Sequence, residues 1–417
     1  MAETVASIFE ERVRFLTELG RRLHLAGVSA SRLEGAVESV GRSIGVECQI
    51  WSTPTGLLLS LGDASLPNPT QQTRVLRLEP GDVDLRALAA LDLIAEEVVH
   101  NKRTLDQAWE AMRALDRPVT VRQQLLTVAA FGVAAAAVAG LLRTGWIDIA
   151  VSGTIGLIIG WIALLSSTRP HLGAASEALA ALVATTLATM FAHFVAPLAL
   201  QTVIVAALIV MMPGLSLTTA VAELASQQLV TGTTRFAGAM TVLLKLTFGS
   251  IAASQLMLAL GWTPQIAVTS TLPHAVEIFA TIAAAASFAV LFKAARRDVL
   301  LVMGSAILGY VLTRVGAEWF GTVTSGSFAG AVFFSSLVMA ALANLYGRLA
   351  GRPGALIRVP GIMLLVPGSV GFRALGFVME KDYSLGVDTL VAVLSALLAL
   401  VAGLLFGSLL VPPRRYL

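Results

Sequence analysis

The 417-residue chain is 56% hydrophobic and 13% charged, and its mean hydropathy is +0.80. An ordinary soluble domain carries about 25% charged residues, so this composition excludes a soluble globular protein and describes a membrane protein. The net charge of +3 makes no case for nucleic acid, because the basic residues stand at loop ends, where the membrane itself accounts for them.

The amino terminus, MAETVASIFEERVRFLTELGRRLHLAG, does not read as a secretory signal. Glu3, Glu10 and Glu11 come early, and apolar residues recur among charges at helical spacing. That spacing predicts an amphipathic helix over 8–25 ending near Gly27. Ser31-x-x-Glu34 has the form of a capping box and predicts a second helix to about residue 43. Two strands, 47–53 and 56–61, are expected about the turn Pro54-Thr55-Gly56, with a third over 73–79. Helices over 85–101 and, behind a Thr104-x-x-Gln107 cap, over 105–115 complete a small α/β hydrophilic domain, residues 1–118. Cys48, the single cysteine, excludes an internal disulfide and fits a reducing, cytoplasmic setting.

From Leu125 the chain changes solvent. Ten spans, each near the roughly 20 residues a bilayer needs, are expected over about 124–142, 147–167, 174–194, 198–224, 236–260, 274–292, 298–315, 326–347, 356–378 and 387–411. Basic residues favour one side of this scheme: Arg113, Arg117, Arg122, Arg169, Arg235, Lys293, Arg296, Arg297, Arg348, Arg352, Arg358, Arg414 and Arg415. The other side has Arg143, Arg314 and Lys381, with Arg373 nearby. The asymmetry predicts a multi-pass protein of the plasma (inner) membrane with both termini in the cytoplasm.

The fourth and ninth spans are interrupted by the same dipeptide, Pro213-Gly214 and Pro367-Gly368. Proline and glycine in mid-helix break the hydrogen-bond ladder. Two such breaks at matching places divide the membrane part into two five-helix repeats, 119–265 and 266–417. Five is odd, so the second repeat enters from the opposite side, and the expected fold is an inverted repeat of the kind secondary transporters use. A break in hydrocarbon is tolerated only where it is buried in protein or lines a water-filled cavity, and a restarting half-helix offers N–H groups and a positive dipole end. The expected substrate residues are therefore Pro213, Gly214, Ser216, Thr218 and Thr219 at the first break, and Pro367, Gly368, Ser369 and Arg373 at the second. A small polar anion or zwitterion suits them.

Ionisable residues inside spans are functional candidates. Glu223, Lys245, Glu277 and His193 are the candidate proton relay, beside Glu177. The plainer alternatives are that Lys245 pairs with Glu223, that Glu177 and Glu277 sit at the interface with water access, and that His193 is an interfacial polar residue. Five scattered histidines show no metal-ligand spacing, and the sequence implies no cofactor. Gly156-x-x-x-Gly160, Gly326-x-x-x-Gly330 and Gly403-x-x-x-Gly407 predict close helix contacts. They leave open whether those contacts are within the chain or between subunits of a homo-oligomer.

Several phrases resemble the threonine/serine exporter (ThrE) family: HLAGVSASRLEGAVESVGRSIGV and WSTPTGLLLSL in the hydrophilic domain, then MPGLSLTTAVAELASQQLVTGTTR and VPGIMLLVPGSVGFRAL in the two membrane halves. The order and spacing match the full-length form with both halves fused. Gln227 departs from the pattern, standing where some relatives have glycine. The resemblance implies ten spans, a hydrophilic amino-terminal domain and export of small amino acids driven by the proton-motive force. Some relatives split into two chains are associated with dicarboxylates such as succinate, which is the alternative substrate. A membrane-anchored hydrolase using the amino-terminal domain is a second alternative. It lacks a nucleophile–base–acid set, since His24 and Ser29 have nothing obvious to complete them. No phosphate loop of the G-x-x-x-x-G-K-[ST] type is present, so an ATP-driven pump is not expected, and the enzyme reading is set aside.

Overall fold

The computed structural model describes residues 2–64, 71–116, 118–267, 272–320, 328–365, 368–379 and 383–413. The hydrophilic domain comes first. Helices α1 (Ala2–Leu25) and α2 (Ala30–Ser43) are followed by strands β1 (Val46–Thr53), β2 (Gly56–Asp63) and β3 (Gln72–Arg77). Helices α3 (Leu85–Val99) and α4 (Leu105–Arg113) complete it. The strands form one antiparallel sheet in the order β1-β2-β3, with Thr53 opposite Gly56 across the expected turn and Leu57 opposite Leu76. The inward residues of the hairpin, Ile50, Leu57, Leu59 and Leu61, pack with Phe15, Leu16, Leu19 and Leu23 of α1. The period-2 and helical patterns thus meet in one core.

Thr104 and Gln107 form the expected capping box on α4. The box at Ser31-x-x-Glu34 does not form. Helix α2 starts earlier, with Ser29 as an N-cap whose side chain makes no cap bond. Glu34 instead accepts hydrogen bonds from Ser52 N at 2.8 Å and Gln228 Nε2 at 2.9 Å. His24 is also drawn away from Ser29: its Nε2 lies 3.1 Å from Glu79 O in a buried position, and burial pushes its pKa below the ordinary histidine value.

The membrane part contains α5 (Val121–Leu141), α6 (Trp146–Ser166), α7 (Pro170–Phe194), α8 (Leu200–Leu208), α9 (Gly214–Ala225) and α10 (Leu229–Ala259). Then come α11 (His274–Leu291), α12 (Val299–Phe320), α13 (Phe328–Ala350), α14 (Ala355–Met363), α15 (Gly368–Met379) and α16 (Tyr383–Leu410). Among the described residues nine helical stretches are long and apolar enough to cross a membrane, and ten if a bent pair is one span. The bent pair runs from Leu200 to Met211 and from Gly214 to Ala225, with 61° between its halves.

The packing partners repeat. In the first half α5 packs on α6, α6 on α7 and α8, α7 on α8 and α10, and α9 on α10. In the second half α11 packs on α12, α12 on α13 and α14, α13 on α14 and α16, and α15 on α16. Across the halves α10 meets α15 and α16 meets α9. Glycine makes the closest approaches. A Cβ on Gly156 would meet Ala135 Cβ at 2.6 Å, and one on Gly160 would meet Phe131 Cβ at 3.0 Å. Gly403 sits against Ser336 and Phe333, and Gly407 against Leu337. These motifs therefore serve contacts within the chain; Gly326 lies outside the described residues.

Each half also buries an aspartate near the start of its second helix. Asp148 is 4% exposed and accepts from Gly145 N at 2.9 Å and Ala199 N at 3.0 Å, tying α6 to the start of α8. Asp298 is 1% exposed and takes both arms of Arg352, at 2.6 and 2.7 Å, tying the start of α12 to the connection before α14. Buried carboxylates persist where such partners satisfy them.

Candidate functional site

The first Pro-Gly pair ends one helix and starts another for a local reason. After α8 a short 3-10 turn, Ile209–Met211, tightens the chain, and Pro213 cannot donate to it. Helix α9 restarts at buried Gly214 with Pro213 as N-cap and no side-chain cap. Of the second pair, Pro367 lies outside the described residues, while Gly368 opens α15. The two glycines meet: a Cβ built on Gly368 would stand 3.1 Å from Gly214 Cα and 3.2 Å from Gly214 N. The starts of α9 and α15 therefore abut with no room for a ligand between them.

The space lies beside that crossing. A cavity of about 230 Å³ is bounded by α9 (Leu215, Thr218, Thr219, Ala222, Glu223), by α14 (Ala355, Arg358, Val359, Ile362) and by the end of α16 (Leu404, Leu405, Ser408). Its remaining wall is the hydrophilic domain, from Ala26 to Arg32 with Val83, Leu85 and Leu88. Pockets for drug-sized ligands run to roughly 300–1,000 Å³, so this one suits a small metabolite. Thr218 is 2% exposed, and its hydroxyl has no hydrogen-bond partner among the described residues. A helical threonine normally bonds the carbonyl one turn back, as Thr241 and Thr247 do here. Arg358 and Arg32 place two guanidinium-bearing side chains on the wall. Arg32 is half-buried; desolvation lowers its pKa to about 10, and it stays cationic at neutral pH.

Glu223 also lines this cavity and is 1% exposed. One carboxylate oxygen accepts from Arg235 Nε at 3.0 Å; the other accepts from Ala30 N, the first helical amide of α2, at 3.2 Å. A carboxylate at a helix N-terminus satisfies an orphan N–H and meets the positive dipole end. Glu223 is thus a junction between the membrane part and the hydrophilic domain.

A family model described as "Putative threonine/serine exporter" matches residues 14–257, and a second, "Threonine/Serine exporter, ThrE", matches 277–410. The chain belongs to the ThrE family. Among curated proteins, the Pheromone-regulated membrane protein 10 of Candida albicans (strain SC5314) is 25% identical over 350 residues, 81% of this chain and 31% of that protein. The protein of the same name in Saccharomyces cerevisiae is 23% identical over 81% of this chain and 44% of its own length. An uncharacterised protein of Schizosaccharomyces pombe is 25% identical over 81% and 45%. The chain thus spans less than half the length of these relatives. No solved structure matches.

Within this ThrE-family chain the other expected site residues are dispersed. Ser216 is exposed and Ser369 half-buried, and neither lines the cavity; Thr219 does. Arg373 is exposed on α15, away from the cavity wall. Lys245 does not pair with Glu223. It lies 3.5 Å from Glu177 and donates to Ala174 O at 2.9 Å. The reason is the length of α10: 31 residues rise about 46 Å, well beyond a roughly 30 Å hydrocarbon core, so its middle meets the beginning of α7. Glu277 accepts from Tyr310 Oη at 2.6 Å and lies 3.4 Å from Arg314. His193 Nδ1 lies 2.9 Å from Thr263 O, with Phe194 and Trp262 against its ring. Neither contacts the cavity. Arg358 is what the sequence reading missed as a site residue. It counted only as a positive-inside charge, although its place inside an apolar run, ALIRVPGIM, is the signal that marks it. Gln227 takes φ +65, a left-handed conformation that suits glycine, which gives the departure at this position a physical meaning.

Proposed function

We propose that this protein is a secondary active exporter of small amino acids, threonine and serine, driven by protons, and that its substrate binds in the cavity between α9, α14, α16 and the hydrophilic domain. The observation that carries the reading is the buried, unpartnered Thr218 hydroxyl on the wall of a cavity of metabolite size, since buried polar groups are almost always satisfied and a ligand can satisfy this one. The Arg358 guanidinium would take the substrate carboxylate. Glu223, whose two oxygens still have lone pairs beyond those used by Arg235 and Ala30, would take the ammonium. The bent pair α8–α9 acts as one interrupted span, and α14–α15 as its counterpart. The matched packing partners and the two buried aspartates, Asp148 and Asp298, support an inverted repeat whose halves cross at Gly214 and Gly368. Alternating access is then a rocking of one half against the other about that crossing.

A dicarboxylate such as succinate is the second reading, favoured by Arg32 joining Arg358 on the wall. Efflux of labelled threonine, serine and succinate from preloaded proteoliposomes, with and without a proton gradient, tests both. Threonine or serine efflux that collapses with the gradient supports the proposal. Succinate alone moves the assignment to dicarboxylates, and movement of none of the three defeats both readings.

A further inference from the structure

We infer that residues 26–32 of the hydrophilic domain form a movable wall of the cavity, latched shut by Glu223, and that substrate crosses on this side only when the wall lifts. The role given to the cavity rests on the reading above; the latch itself is argued from the docking.

The hydrophilic domain docks through the uncapped start of α2. Helix α2 begins at Ala30, which leaves Ser31 of the Ser31-x-x-Glu34 motif inside the helix; Ser29 makes no cap bond, and Glu34 reaches to Ser52 N and Gln228. The amide left at the helix start, Ala30 N, is taken by Glu223 from α9. Thr231 Oγ1 donates to Ser52 O at 2.8 Å beside it. The α2 side of the boundary is therefore a short row of polar contacts, each of which water can replace on opening.

The α3 side differs. Leu85 and Leu88 share a buried apolar cluster with Phe288 and Phe292 of the α11 region and Leu356 of α14, and Leu85 N donates to Phe292 O at 3.0 Å. An apolar contact on one edge and an exchangeable polar contact on the other is the arrangement of a hinge and a latch. The segment that would lift is the one lining the cavity. It is shaped by Gly27, at φ +75, where a Cβ would strike Asp82 C at 2.8 Å. Further in, the abutting Gly214 and Gly368 stop the passage, so the wall at residues 26–32 governs the side facing the hydrophilic domain.

The test uses the full-length protein with Cys48→Ser, which removes the single native thiol. Thr218→Cys is added as a reporter, and its reaction with a bulky maleimide is timed with no substrate present. The latch predicts slow labelling that rises at least tenfold with Glu223→Ala. A disulfide between Ser52→Cys and Thr231→Cys, which leaves Glu223 in place, should slow labelling of the reporter, read by mass spectrometry on the peptide carrying position 218, at least tenfold, and reductant, removed before the maleimide is added, should restore it. Equal labelling rates in the Glu223→Ala, oxidised and reduced proteins overturn the latch, and so does transport undiminished by the disulfide in protein with Thr218 intact. Labelling that responds to latch and disulfide in a protein that moves no amino acid or dicarboxylate keeps the wall and defeats only the substrate reading. Should Glu223→Ala fail to fold, the disulfide pair alone decides.

Discussion

A buried hydroxyl without a partner costs about 1–3 kcal/mol relative to one that is satisfied, and Thr218 carries such a hydroxyl on the cavity wall. Its removal separates binding from folding. Thr218→Val keeps the shape and discards the unsatisfied group, so thermal stability in detergent should hold or rise slightly. Substrate affinity should fall about tenfold, near 1.4 kcal/mol, while Thr218→Ser retains most of it; isothermal titration with threonine reads both. A second residue-scale prediction concerns acid. Burial raises the Glu18 pKa, but the bonds from Arg21 and Arg22 outweigh it and hold the carboxyl below its ordinary value. Asp116 is held low by Arg22. Both shifts are downward, so their contribution is complete above the unfolded values of 4.5 and 3.8 and is lost as pH falls below them through the lower folded ones. Hydrogen-exchange protection of α1 and α4 should therefore drop below about pH 4.5 in the native protein, and Glu18→Gln should lower protection at pH 7 and flatten that acid limb. Cys48 should be inert by comparison: burial pushes its thiol up to about 12, leaving almost no thiolate at neutral pH. Thr218 could be singled out from sequence because it follows a proline-glycine break. Arg358 is harder to single out: its place inside the apolar run ALIRVPGIM marks it, but a charge near a span end reads equally well as a topology signal until α14 is seen to begin at Ala355.

At the scale of helices and strands, periodicity located nearly everything in the hydrophilic domain, because one face of each element there meets water. The hairpin turned at Pro54-Thr55-Gly56 as its punctuation required, and α4 took the cap its Thr104 offered. The α2 cap failed because the helix begins at Ala30, with Ser31 inside it, and Glu34 found a backbone amide in β1 and an amide side chain across the domain boundary; a local motif carries no information about such partners. In the membrane part, hydropathy found the spans but not the neighbours. Those are set by glycine surfaces, and the surfaces are testable. Gly309 lies directly against the Gly361 carbonyl and Gly403 against Ser336 and Phe333, with backbone among the opposing atoms. Gly309→Val or Gly403→Val should therefore separate α12 from α14 or α13 from α16, costing about 1–3 kcal/mol for overpacking and lowering the melting temperature in detergent. Gly304, with nothing within 4 Å of its would-be Cβ, should tolerate Gly304→Ala.

For the whole molecule the decisive contact is the smallest one, Gly214 against Gly368. If the two halves rock about that crossing, the glycines must approach and part once in each cycle. Any Cβ there biases the equilibrium toward the state in which they are apart. Gly368→Ala adds one methyl 3.1 Å from Gly214 Cα, tighter than ordinary van der Waals contact, and should shift the population without unfolding the bundle. Gly368→Leu cannot be accommodated and should hold the halves apart. Dose and outcome are then linked: transport should fall severalfold in the alanine protein and by at least a hundredfold in the leucine protein. Both should still insert and melt as single species. The leucine protein should also label faster at an added cysteine on the far side of the crossing, at Gly376→Cys in the Cys48→Ser background, where the glycine has open space around it. Equal transport in the native and leucine proteins would remove the crossing from the mechanism. Loss of transport with unchanged labelling would make the two glycines a packing contact rather than a pivot.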